Sequence, residues 1–422
     1  MRCRWRMRAV SSGRVRIREH GSYHVQDRRQ SEENLPVVAN SWAGAASTAR
    51  ASLTLAGTVT MTLASTSSVT RKRGSTARKD FAWFVRRGLL LSVALIVCAG
   101  VIGTVRADRY SPEQWFDLVA FGLTLGGVYA LIALGYSMVY GVLRLINFAH
   151  GDTMTVGVFI AYFVARGLEH TELFETSPVV AVAIVVIVGA VVSALIALLV
   201  ERFAYRPVRA NGGFAPLITS IGMSFLLQQT CRGMFGSGVK AYPDPAWLQG
   251  SMALGTFSIP YVEVMVLCAA ALVMVALYLV VHGTRMGTAM RATAEDPRAA
   301  VLMGIDINKV IVFTFLLGGL TAGAGGVLYA LIYKQVYFMM GFLPGIKAFG
   351  AAVLGGIGSI PGAMAGGIIL GLAEGVGPTL ILDGLGIPAP YQLRDLFAFA
   401  LLITVLICRP QGLFGEAPAR RA

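Results

Sequence analysis

Residues 122–152 read GLTLGGVYALIALGYSMVYGVLRLINFAHGD. They belong to an apolar run, 115–143, that exceeds the ~20 residues a helix needs to span a bilayer. The run gives way to Asn147-Phe148-Ala149-His150-Gly151-Asp152, and a second apolar run, 148–166, follows at once. Polar side chains are therefore wedged between two membrane segments.

Apolar segments recur outward from this stretch, at 178–200, 215–235, 259–281, 310–333, 345–358, 361–377 and 393–408, and Gly88–Val105 precedes them all. Of the 422 residues 55% are hydrophobic and only 14% charged, against ~25% charged in a soluble chain. The mean hydropathy is +0.67. These values exclude a disordered chain and argue against a soluble enzyme. The fold expected is all-α, a polytopic transmembrane helical bundle of about 8–10 membrane segments. Several segments are short or Gly-rich, which suits half-helices or re-entrant pieces whose backbone is buried in protein.

Charge divides the chain. Residues 1–80 carry 15 Lys/Arg against 5 Asp/Glu, so most of the net +14 lies there. Nucleic-acid binding by the whole chain is not expected. The extension 1–80 shows no persistent period and reads as disorder. A basic arm on anionic lipid is the functional alternative, and a start further along, at Met61, is a third. Segment 81–107 has a basic lead and an apolar stretch, fitting a signal peptide or an extra anchor. The five cysteines are scattered, with no C-x-x-C pair. They read as small apolar residues rather than disulfides or metal ligands.

The loops set the orientation. Loop 201–214 holds Arg202, Arg206 and Arg209, and loop 282–309 holds Arg285, Arg291, Arg298 and Lys309. Stretches 167–177 and 378–392 carry acids and no Lys or Arg. The basic loops are expected in the cytoplasm and the acidic ones outside. If all ten segments cross, both termini lie inside.

Glycines recur four apart at Gly122/Gly126, at Gly319/Gly323 and at Gly367/Gly371/Gly375. That spacing lines one helix face with small residues and brings neighbouring backbones close. Tight packing inside the chain is the expectation, ahead of a dedicated dimer face. Asn147, His150 and Asp152 either line a polar pathway or form a short loop that caps the next helix. Glu374 stands among small and apolar residues in 362–377. A carboxylate there either faces polar company, as a functional site does, or sits near the outer end in solvent.

The loop TRMGTAMRATAEDPRAAVLMGIDINKV is far longer than two spans require. Asp296 before Pro297 makes an N-cap and first-turn pair, predicting a short helix from about residue 297 to 303 that ends at Gly304. A short helix with an apolar face suits docking into a partner's groove. A solvated loop is the alternative. The chain has no G-x-x-x-x-G-K-[ST] phosphate loop, no H-E-x-x-H and no complete G-x-S-x-G. It is expected to be no enzyme and to need no cofactor or metal.

From Trp115 to Phe414 the chain resembles the LivH-type permeases of branched-chain amino acid ABC importers. The resemblance rests on the quoted stretch, on ERFAYRPVR at 201–209, on AEDPRAAVLMGI at 294–305 and on KAFGAAVLGGIGSIPGAMAGGIILGLAE at 347–374. It implies a permease domain over 108–415 and a short cytoplasmic tail at 416–422. It implies a LivM-like second permease, two ATP-binding subunits (LivG- and LivF-like), an extracytoplasmic binding protein, and residence in a bacterial plasma (inner) membrane. Loop 284–309 would be the coupling segment, carried by Glu295, Asp296, Arg298, Ala299, Ala300 and Gly304. The family's EAA---G pattern keeps its spacing here, with Arg298 in the Glu position. Substrates implied are branched-chain or other hydrophobic amino acids. Urea or short-chain amides within the same superfamily, and an ion-gradient carrier outside it, are the rivals. Asn147, His150 and Glu374 are the candidates for the translocation path.

Overall fold

The computed structural model describes residues 87–171, 173–209 and 214–415. The expected extension 1–80, residues 81–86 and the expected tail 416–422 lie outside the described residues.

All ten predicted apolar segments are helical. They are α1 (Arg87–Ala107), α2 (Pro112–Leu143), α3 (His150–Glu169), α5 (Pro178–Val200), α6 (Ala215–Phe235), α7 (Tyr261–Gly283), α10 (Ile307–Tyr333), α11 (Phe342–Gly355), α12 (Ile360–Gly377) and α13 (Arg394–Cys408). Three short helices join them: α4 (Leu173–Thr176), α8 (Arg285–Glu295) and α9 (Pro297–Leu302). Among the described residues, seven helical stretches are long and apolar enough to cross a membrane. α3 and α6 have the length, 20 and 21 residues, but carry more polar side chains. α11 is shorter, at 14 residues.

α2 is the central helix. Ser111 and Gln114 close a capping box around Pro112, which fixes its start. The helix is apolar on every side, as a helix surrounded by others must be, and Leu125 through Leu134 are all buried. α12 lies directly on it. A Cβ on Gly371 would overlap the backbone of Gly126, and one on Gly367 that of Ala130. Gly375 faces Gly122 in the same way. A second close pair sets Gly319 and Gly323 of α10 against Gly189, Ser193 and Ala194 of α5. Small residues here remove the side chains that would hold two backbones apart.

The short α11 begins deep in the bundle. Gly341 and Gly345 rest on Gly151, at the start of α3, and the Gly341 N–H donates to Thr155 Oγ1 at 3.0 Å. The turn between α11 and α12 is tied to α2, since the Gly358 N–H donates to Ser137 Oγ at 2.9 Å. Gly356 and Gly358 have φ of +110° and +95°, a region that disfavours a side chain.

The two ends of the bundle differ. At one end Tyr205 donates to Ile146 O at 3.1 Å, Arg144 Nη2 donates to Ala294 O at 2.7 Å, and Arg209 donates to Asn308 Oδ1. The two Arg-bearing connections thus meet the end of α2. At the other end β1 (Lys240–Ala241) pairs antiparallel with β4 (Gln335–Val336), and Lys334 Nζ bonds Asp244 at 2.6 Å. The hairpin of β2 (Ser251–Leu254) and β3 (Phe257–Pro260) lies there too, with Phe257 against Phe116.

Candidate functional site

The hexapeptide 147–152 is a buried hinge between α2 and α3. Asn147 Oδ1 accepts the Ala149 N–H at 3.1 Å and faces the Tyr205 hydroxyl at 3.2 Å. The first contact is an Asx turn that leads into α3. His150 is buried, its ring edge-on to Tyr136 with centroids 4.5 Å apart. Its Nε2 lies 3.3 Å from Ile132 O, and a carbonyl only accepts, so Nε2 carries the proton. Asp152, 1% exposed, accepts from Ser224 of α6 through Oδ2. Gln228 Nε2 donates to that same serine oxygen at 3.3 Å. Asp152 Oδ1 is buried and has no hydrogen-bond partner among the described residues.

Glu374 is not solvated. It is 1% exposed and belongs to an ion cluster in which Lys347 is also buried while Arg394 and Asp395 reach solvent. Lys347 Nζ in α11 lies 2.7 Å from Glu374 Oε1 and 2.6 Å from Asp395 Oδ1. The Tyr129 hydroxyl of α2 donates to Glu374 Oε2 at 2.9 Å, and Arg394 Nε approaches Oε1 at 3.7 Å. Two cations and two carboxylates gather where α2, α11, α12 and the start of α13 meet, so the formal charge of the cluster is zero. A low-dielectric interior tolerates charges only in such paired form.

The predicted short helix is α9. Asp296 Oδ1 accepts the N–H groups of Arg298 at 2.8 Å and Ala299 at 3.2 Å, and Pro297 occupies the first turn. At its end the Gly304 N–H reaches Val301 O at 3.0 Å and the Ile305 N–H reaches Ala300 O at 3.1 Å. With Gly304 at φ +82° this is a Schellman closure. Ala300 is buried beneath the helix, whereas Glu295, Arg298 and Ala299 are exposed. Val301 and Leu302 are also exposed, Leu302 to 87%.

Residues 118–406 match the family model described as branched-chain amino acid transport system / permease component. The chain belongs to that family. Within it, the BraD permease of the Pseudomonas aeruginosa high-affinity branched-chain amino acid transport system is 41% identical over 300 residues, which is 70% of this chain and 94% of that one. The LivH permease of Salmonella typhimurium is 39% identical over 311 residues, covering 73% and 96%. The ribose import permease RbsC of Escherichia coli is 24% identical over 343 residues, covering 77% and 94%. As a member of this permease family the chain is a multi-pass membrane protein and a transport component.

The path candidates of this family member fall into two separate groups. Asn147 and His150 sit at the α2–α3 hinge with Asp152, while Glu374 lies in the ion cluster. Sequence reasoning passed over Lys347, Arg394, Asp395 and Tyr129, and over Tyr205, Ser224 and Gln228 beside the hinge. Lys347 left one usable signal: it is a lone cation inside the apolar segment 345–358. Tyr129, Ser224 and Gln228 left none, because a single hydroxyl or amide in an apolar helix is commonplace.

Proposed function

We propose that this chain is the permease subunit of an ATP-driven importer for branched-chain amino acids, resident in a bacterial inner membrane. The substrate reading is carried by the 41% and 39% identity to BraD and LivH along nearly their whole lengths. The chain forms the translocation path with a second, LivM-like permease. ATP is hydrolysed on two separate LivG- and LivF-like subunits, and an extracytoplasmic binding protein delivers the substrate.

Coupling runs through the end of the bundle that holds α8 and α9. The exposed Val301 and Leu302 present an apolar edge to a groove on an ATP-binding subunit. Arg144 carries the displacement onward, because its side chain holds the Ala294 carbonyl at the end of α8 while its backbone terminates α2. A nucleotide-driven movement of α9 therefore pulls on the central helix. Such a movement shifts access only if the ATP-binding subunits hold α9 differently in their two states.

The test is uptake of labelled leucine and labelled urea by cells with and without the gene, before and after ATP depletion. Loss of ATP-dependent leucine uptake in the deletion strain is the expected result. Loss of urea uptake alone keeps the machine and replaces the substrate. Uptake that survives ATP depletion but collapses with the ion gradient points to a secondary carrier.

A further inference from the structure

α1 precedes the residues that match the family, which begin at 118. It covers 21 residues, ~31 Å at ~1.5 Å per residue, enough to cross a hydrocarbon core of ~30 Å. The apolar part of a removable leader is only ~7–15 residues long. α1 lies against the end of α12, which continues past Gly377 as a π-helical turn, Pro378–Asp383. A Cβ on Gly100 would overlap the Ile381 backbone, and one on Gly103 the Gly384 backbone. Both contacts advance by the same number of residues, so the two helices run parallel. α12 starts towards the end of the bundle that holds α8 and α9, where Ser137 Oγ in the last third of α2 donates to Ser359 O at 3.2 Å. α1 therefore runs away from that end, alongside α12.

Thr104 shows that this contact is built rather than incidental. A threonine inside a helix commonly bonds the carbonyl four residues back, and Thr124, Thr293 and Thr314 do so. Thr104 is 2% exposed and instead reaches across to the other helix. Its hydroxyl donates to Leu380 O at 3.0 Å, with Thr379 O at 3.4 Å. A π-helical turn is a rare distortion, and Thr104 gives its carbonyls a donor from outside. Just past α1, Arg109 Nη1 lies 3.4 Å from Asp383 Oδ1. The other side of α1, with Leu91, Leu95 and Val105, is exposed and apolar, as a helix face against lipid is.

We propose that the outer end of α12 and its π-helical turn are a docking surface for α1, and that α1 is a permanent membrane-crossing helix of the mature permease, not a leader removed after insertion. The small residues Val105 and Ala107 resemble a cleavage signal, but both belong to the last turn of α1. A peptidase would have to unwind that turn beside the buried Thr104 and break its contacts with Thr379 and Leu380. Removal of α1 would also leave the carbonyls of the π-helical turn facing hydrocarbon without their donor, which is costly. The reading holds whichever substrate the permease carries.

The full chain, tagged at its C-terminus, is expressed in a bacterium and purified, and its intact mass is measured. The mass is expected to include residues 87–107, and a mature chain that begins at Asp108 overturns the proposal. A second measurement reads the docking itself. A site for a specific protease is inserted after Asp108, the purified protein is cut there in mild detergent, and the C-terminal tag recovers whatever stays bound. α1 is expected to stay with the remainder. Thr104→Val, which keeps the shape and removes the hydroxyl, is expected to speed the loss of α1 about three- to tenfold, the effect of one hydrogen bond. Gly100→Leu is expected to release α1 altogether. Loss of α1 from the parent, or equal retention in Gly100→Leu, overturns the docking. If Gly100→Leu fails to insert, Thr104→Val carries the test, and an unchanged rate of loss there overturns the docking as well.

Discussion

Lys347 and Glu374 are 27 residues apart in sequence and 2.7 Å apart in space, joining the first half of α11 to α12 within the bundle. Both are nearly sealed from solvent, at 5% and 1% exposure. Breaking such a pair leaves one buried charge uncompensated, which costs about 3–5 kcal/mol in comparable interiors. Lys347→Met should therefore lower the melting temperature of the purified protein sharply. Glu374→Gln should cost less, because Lys347 keeps Asp395 at 2.6 Å. The double variant Lys347→Met/Glu374→Gln should recover much of the loss, and a double-mutant cycle of these two substitutions, read by thermal unfolding, measures the coupling. Additive losses would show that the pair does not act as a unit.

The α2–α12 seam should be intolerant of any side chain. A Cβ on Gly371 has no space against the Gly126 backbone. Gly371→Val should abolish folded protein in the membrane fraction. Gly222 of α6 has nothing within 4 Å of the corresponding position. Gly222→Ala should be neutral or stabilising by up to about 1 kcal/mol through helix propensity. Equal yields of the two variants by fluorescence-detected gel filtration would contradict the seam.

α9 should separate stability from coupling. Leu302 is 87% exposed, and a surface substitution changes stability by only about 0.5 kcal/mol. Leu302→Asp should leave insertion and melting unchanged while ATP-driven leucine uptake falls. Gly304 has open space around it but φ of +82°. Gly304→Trp therefore meets no obstacle at its Cβ and instead strains the backbone by about 1–3 kcal/mol, loosening the end of α9. Normal uptake by correctly inserted Gly304→Trp protein would remove α9 closure from the coupling route.

Arg144 should matter to transmission rather than to folding. Its Nη2 bond to Ala294 O is exposed. Arg144→Ala should leave the amount of inserted protein unchanged and raise the ratio of ATP hydrolysed to leucine imported. The ratio is measured in proteoliposomes with the binding protein supplied. An unchanged ratio would place the mechanical link elsewhere.

Asn147 should prove a structural residue of the hinge. Its Oδ1 orders the turn before α3 through the Ala149 N–H. Asn147→Asp keeps the Oδ1 acceptor and should fold, whereas Asn147→Ala leaves a buried N–H unsatisfied at a cost of about 1–3 kcal/mol. Thermal unfolding of both variants checks this. If Asn147→Ala is as stable as the parent, the Asx turn is dispensable.

The sequence by itself determined the membrane class, the ten helical segments and both ends of α9. Those features are local. Hydropathy over some twenty residues, an Asp-Pro start and a glycine at the stop each act within a few residues of where they are read. The same holds for the four-residue glycine spacings, which announce a close helix contact without saying which helix is met. Tertiary structure alone decided the rest. It matched Gly371 to Gly126 and Gly323 to Gly189, set the start of α11 against Gly151, and gave Glu374 its partners Lys347, Tyr129 and Arg394. It also enclosed Asp152 beside Ser224 with one oxygen unmet. A buried charge is stabilised by whatever the fold brings within about 3 Å, and in this chain those partners come from segments tens to hundreds of residues away, beyond the reach of any local pattern.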